Sequence, residues 1–165
     1  MNRANGCYVV KHKIRLAALL AVMARFSDGP IGPIAGGALR SGELVKDGPA
    51  DWSFAADISE IEFQLLEPAR SRITWILIHE GQPYIPCGTP GFRLWKQWPH
   101  EAMVDGRALL RIDNRRYERQ AVRVTEEGLC ATLTALLKQK YPMAEAYPAD
   151  PDVLWFFRME PRAER

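Results

Sequence analysis

Residues 87–100 (CGTPGFRLWKQWPH) hold the densest mixture of groups in this chain that could do chemistry. Gly88, Pro90 and Gly91 favour an open loop whose backbone N–H groups can approach an anion closely. Thr89 lies among them, Arg93 and Lys96 add positive charge, and Trp95 and Trp98 add flat apolar faces. A ligand with a phosphate tail and a ring needs such a mixture, cations for the tail and apolar walls for the ring. The competing reading is a surface loop whose tryptophans pack on the fold while the cations are solvated. No spacing within the segment decides between the two.

A second group of cations is the arginine series Arg107, Arg111, Arg115, Arg116, Arg119 and Arg123. Strand alternation puts Tyr117, Arg119, Ala121 and Arg123 on one side, and Arg107 with Arg111 on one side of the strand before it. Guanidinium groups suit bidentate phosphate binding, which makes Arg111 a candidate phosphate holder. For most of the series a solvated outer face, balanced by Glu118, Glu126 and Glu127, explains the pattern as well. A formal charge of +2 is too small for nucleic-acid binding, so no nucleic-acid partner is expected.

Other chemistries find less. Cys7, Cys87 and Cys130 are odd in number and stand at no metal-ligand spacing, and His12, His79 and His100 are scattered, so no metal site is expected. Cys87 reads as a structural thiol, His79 as a turn residue, and His100 as a surface residue at a helix start. The chain carries no readable catalytic triad and no Walker-type loop. An enzyme built this way would take its reactive atom from a bound cofactor, with the protein supplying binding and orientation.

The elements that must position these residues are mostly strands. In residues 59–66, Ile61, Phe63 and Leu65 alternate with polar neighbours. Residues 73–78 (ITWILI) are β-branched and aromatic, as in a central strand. A turn at Glu80-Gly81-Gln82 joins them to residues 83–87, where the two prolines place the strand near an edge or bulge. Residues 107–113 and 116–125 form a hairpin turning at Asp113-Asn114. Residues 129–140 show one apolar helical face and stop at Pro142, and 153–159 form a last strand. These strands, with a helix before the last, predict an α+β fold, a small antiparallel barrel over residues 51–162.

Residues 1–26 carry a basic stretch (Lys11, Lys13, Arg15), then an apolar run over 16–24. That is the layout of a secretory leader or membrane anchor, which would place the protein at a membrane or in the periplasm through residues 14–26. The alternative is an amphipathic N-terminal apolar helix covering the barrel in a cytoplasmic protein. Residues 27–50, rich in glycine and proline, read as an extended linker.

The order and texture of the second half resemble the split β-barrel flavoproteins, the superfamily of pyridoxamine-phosphate oxidase-like and deazaflavin-dependent nitroreductase-like proteins. The resemblance is carried by RALLRIDNRRY at 107–117, AVRVT at 121–125, the helix ending Lys140-Tyr141-Pro142, and the final strand over 155–161. It implies an FMN-binding type of split barrel with one or two helices, a homodimer, and FMN or a deazaflavin as cofactor. It further implies hydride or electron transfer to a small molecule. On that reading Arg93, Lys96 and Arg111 hold the phosphate, Trp95 and Trp98 border the ring, and Thr74 and Trp75 lie beside it. Where relatives of the nitroreductase type carry an asparagine after a proline-tryptophan pair, this chain reads RLWKQWPH at 93–100. A non-catalytic barrel that binds haem or another ligand is the alternative function.

Overall fold

The computed structural model describes residues 22–45, 48–92, 96–148 and 150–162. Eight strands form one sheet: β1 (Glu43–Val45), β2 (Glu60–Leu65), β3 (Arg70–Trp75), β4 (Leu77–His79), β5 (Gln82–Gly88), β6 (Arg107–Ile112), β7 (Arg115–Arg123) and β8 (Leu154–Pro161). Among the described residues two complete α-helices accompany them, α1 (Trp98–Val104) and α2 (Glu127–Lys140), with 3₁₀ turns at Ser53–Ala55 and Pro142–Ala146. The hydrogen-bonded path runs β3-β2-β6-β7-β8-β5-β4, antiparallel throughout, and β1 adds in parallel to β7. The fold is therefore α+β, as expected from the sequence, with eight strands where six segments were anticipated. β3 and β4 stand at opposite ends of the path, yet only Ile76 separates them in the chain.

Alternation explains the main core. Ile61, Phe63 and Leu65 of β2 meet Ala108, Leu110 and Ile112 of β6, with Tyr117, Ile85 and Phe157 from β7, β5 and β8. The opposite face of β4, β5 and β8 presents Leu77, Tyr84 and Phe156 to Leu133 and Leu137 of α2. β5 is thus buried on both faces along Pro83–Cys87. Each of its prolines lies where β5 has a single partner: Pro83 pairs with β4 alone and Pro86 with β8 alone. An unpaired side is where a residue without an N–H is tolerated. The turns follow their chemistry, with Asp113 and Asn114 at φ 46° and 60° and Glu80 and Gly81 at 51° and 72°.

The glycine- and proline-rich segment is not a bare linker. Gly36 exchanges backbone hydrogen bonds with Ser71 of β3 at 2.9 and 3.2 Å, and the Ser71 hydroxyl donates to the Gly37 carbonyl at 2.6 Å. The Leu39 N–H donates to Gln64 Oε1 at 2.6 Å, and β1 continues this strap onto β7. Outward-facing polar groups of the sheet need partners once covered, and the strap backbone supplies them.

The N-terminal apolar helix expected over 14–26 lies mainly outside the described residues. What is described there is one helical turn at 22–24, with Ala24 buried and Val22, Met23 and Phe26 exposed. Among the described residues no helix is long and apolar enough to cross a membrane.

Candidate functional site

The break at Ile76 creates the site. β3 pairs with β2, while β4 pairs with the first half of β5, so no ladder joins β3 to the second half of β5. The gap is a cleft of about 250 Å³ with Thr74 and Trp75 on one side and Pro86 and Gly88 on the other. Lys96, Tyr147, Leu137 of α2 and Leu154 of β8 also line it.

Tyr141 fixes the break. Its hydroxyl lies 2.6 Å from the Ser59 carbonyl and 2.8 Å from the Ile76 carbonyl, and it accepts the Ile76 N–H at 3.2 Å. The ring stacks on Trp75 with centroids 4.5 Å apart and planes 9° from parallel. Lys140 reinforces the same point, its ammonium donating to the carbonyls of Ala56 and Ile58 at 2.7 Å and of Ile76 at 3.1 Å. The sequence thus places Lys140 and Tyr141 at the end of α2, where adjacent side chains tie the helix to the strand break.

Gly88 is the narrowest point. A Cβ on it would stand 2.5–2.8 Å from three atoms of the Tyr147 ring, so a side chain there would displace the tyrosine. Its carbonyl accepts from the Lys96 ammonium at 2.6 Å and from the Thr89 hydroxyl at 2.8 Å. Thr89 itself adopts a left-handed φ of 51° as the chain leaves β5. Glu60 adds an exposed carboxylate to the cleft lining.

Behind the cleft lie Cys87 and Arg72. Burial pushes the Cys87 thiol up to about 11, against the pull of Lys96 and Arg72, so it stays protonated at neutral pH. Burial also lowers Arg72 to about 10, Glu101 and Cys87 acting the other way. The Arg72 guanidinium lies 5.7 Å from the Trp98 ring centroid, and its buried Nε has no hydrogen-bond partner. Cys87 is therefore a structural thiol, as the sequence suggests.

Of the residues singled out from sequence, Thr74, Trp75 and Lys96 come together in the cleft, and Thr89 adjoins it through Gly88. Arg93 and Trp95 lie outside the described residues. Trp98 is not a cleft wall: it is buried in the main core, edge-on to Phe63 at 5.2 Å. Arg111 is not there either. It faces the strap, where its guanidinium binds both Glu62 oxygens, Asp28 Oδ1 at 3.0 Å and the Ser41 hydroxyl at 2.9 Å. Hydrogen bonding to Glu62 raises its pKa further, though burial opposes this, so the group is a committed cation.

The arginine series is divided between two faces. Arg119 is 2% exposed inside the fold, 4.6 Å from the Trp52 ring centroid, whereas Arg107 pairs with Asp105 on the outer side. Tyr147 and Gly88 were missed as partners. Nothing in the irregular segment between α2 and β8 marks Tyr147, whereas Gly88 was visible as a residue type. His100 Nε2 lies 2.9 Å from the Pro90 carbonyl, and His79 is half-buried beside Tyr84. Among the described residues no group of three His, Cys, Asp or Glu could hold a metal ion.

No protein-family model matches the chain, and no curated protein does. Among solved structures the chain is similar to the protein Atu2129, of unknown function, from Agrobacterium tumefaciens str. C58, at 15% sequence identity and a TM-score of 0.46. That alignment covers 70% of this chain and 57% of the Agrobacterium chain, so the present chain spans little more than half the length of its neighbour.

Proposed function

We propose that the chain is a split β-barrel protein whose cleft takes a flat cofactor with an anionic tail, FMN or a deazaflavin, and that it acts as an oxidoreductase on a small molecule. The observation that carries this reading is the parting of β3 from β5, which puts Trp75, Gly88 and Lys96 around one slot. The barrel is supported by β3 and β4. They continue one another past Ile76 while pairing at opposite ends of the path, as strands do in a sheet rolled onto itself.

The described residues suit the ring end of such a cofactor better than its phosphate end. Trp75 offers an apolar wall, and Gly88, lacking a side chain, lets the Tyr147 ring seat against β5 as a second flat wall. Among the described residues Lys96 is the one cation lining the cleft, and it would exchange the Gly88 carbonyl for a phosphate oxygen. A volume of about 250 Å³ is below the span common for cofactor-sized ligands. The remainder of the site would come from a second copy of the chain, in keeping with a homodimer. When bound, the cofactor supplies hydride or electron transfer, and this chain's residues bind and orient it. The same volume favours a second reading, a non-catalytic barrel holding a smaller ligand.

The test is the absorption spectrum of the purified protein after gel filtration, with and without added FMN or deazaflavin. Retained flavin bands that bleach with a nicotinamide donor support the oxidoreductase. Retained bands that do not bleach support flavin binding without catalysis, and a protein that retains neither cofactor removes the flavin reading and favours the barrel holding a smaller ligand.

A further inference from the structure

A second cavity, of about 370 Å³, shares Leu154 with the cleft but lies between the N-terminal half of α2 and the strands β7 and β8. Val124, Ala131, Leu154 and Phe156 give it apolar walls. Among the described residues its one lining cation is Arg123, whose guanidinium lies 3.6 Å from the Trp155 ring centroid. Arg107, Arg111, Arg158 and Arg162 each meet a carboxylate, whereas Arg72, Arg119 and Arg123 lie on aromatic rings instead, and of these three only Arg123 lines a cavity. The Arg123 side chain makes no hydrogen bond or ion pair among the described residues, and its Nε is buried without a partner. A guanidinium held on an aromatic face beside a cavity with apolar walls, with no carboxylate among the described residues at ion-pair distance, is poised for an external anion.

We propose that this cavity binds a small-molecule carboxylate with a flat apolar body, its carboxylate on Arg123 and its body against Val124, Ala131 and Phe156. The volume falls in the range of ordinary ligand sites and admits a bicyclic ring. Two further carboxylates, Glu127 and Asp150, line the cavity and are exposed. They repel a dianion more than a monoanion, which selects a carboxylate over a phosphate.

The experiment uses the full chain, 2-naphthoate as the probe, and its neutral counterpart 2-naphthalenemethanol. Binding is followed by calorimetry and by the indole N–H resonances in ¹H–¹⁵N spectra. The Trp155 indole donates to the Pro151 carbonyl at 2.6 Å, and both residues line the cavity, so its resonance reports occupancy. Naphthoate is expected to bind and to shift Trp155 but not Trp75, with the alcohol at least about tenfold weaker. Arg123→Gln should weaken naphthoate by about tenfold or more and bring it level with the alcohol. Ala131→Phe, which fills the cavity and keeps the charge, should abolish binding of both; it serves if the arginine variant does not fold. Equal affinity for acid and alcohol, full binding by Arg123→Gln or Ala131→Phe, a shift at Trp75 alone, or no binding at millimolar probe would each overturn the proposal.

Discussion

Replacing Tyr141 by phenylalanine removes one oxygen from the point where β3 becomes β4. The ring and its stack on Trp75 are kept, so the cost is one of hydrogen bonding. Three backbone groups meet that hydroxyl, and they differ in what they lose. The Ser59 carbonyl belongs to an exposed residue and can turn to water. The Ile76 carbonyl keeps the Lys140 ammonium at 3.1 Å. The Ile76 N–H, on a residue 0% exposed, loses its acceptor. One orphaned buried N–H costs about 1–3 kcal/mol, so the variant should lose about 2 kcal/mol. For a chain of this size that lowers Tm by about 4–8 °C. Urea unfolding should show the loss as a lower midpoint at unchanged slope. Lys140→Met removes the Ile76 carbonyl's other partner, so the double variant should lose more than the sum of the single losses. Burial raises the Tyr141 pKa above its ordinary value of 10, and the Ile76 N–H opposes it. A raised acid favours the neutral form on folding. Its contribution is full below pH 10 and is lost as pH rises through the folded value, so the gap between wild type and Tyr141→Phe should close above pH 10. A loss under 0.5 kcal/mol, additive single losses, or a gap that widens in alkali would refute this account of the strand break.

Three further outcomes follow from the same contacts. With Cys7 and Cys130 replaced by serine, thiol reagents at neutral pH should label Cys87 only at the rate of unfolding, because burial raises it to about 11; fast native labelling would contradict this. Burial pushes the Asp28 carboxyl up, but hydrogen bonds from the Ser41 side chain and the Arg40 and Ser41 amides, with the Arg111 charge, outweigh it and hold the group well below the usual carboxylate range. Its contribution is therefore present above pH about 4 and is lost as pH falls through the folded value, so Asp28→Asn should show a shallower loss of stability in acid titrations. Gly88→Ala should displace Tyr147 and reduce retention of any cleft ligand while leaving the core strands folded, as read by circular dichroism.

Much of the fold was legible because its strands alternate cleanly. Ile61, Phe63 and Leu65 face one core, and the Asp113-Asn114 turn follows from the backbone tolerance of those residues. The single strand expected over 73–78 was less exact. It begins at Arg70 and breaks at Ile76, because Lys140 and Tyr141, distant in sequence, claim that residue's backbone. Composition also misled at two places. Glycine and proline in residues 27–50 suggested an extended linker, whereas Gly36 allows a close backbone turn and the described part through Val45 straps the sheet. Charge suggested that most of the arginines form a solvated face, yet Arg119 is buried on Trp52 and Arg111 serves the strap. Of the site, Thr74, Trp75 and Lys96 were readable as types, but their meeting with Tyr147 depends on contacts that no local pattern encodes.

The most direct measurement is the affinity of the purified chain for FMN and for riboflavin, which lacks the phosphate, read by quenching of flavin fluorescence in wild type and Lys96→Ala. The account predicts that wild type prefers FMN by about tenfold or more, that Lys96→Ala erases the preference, and that riboflavin affinity is little changed by the substitution. Equal affinity for the two flavins in wild type, or an FMN preference that survives without Lys96, would contradict the placement of an anionic cofactor in the cleft.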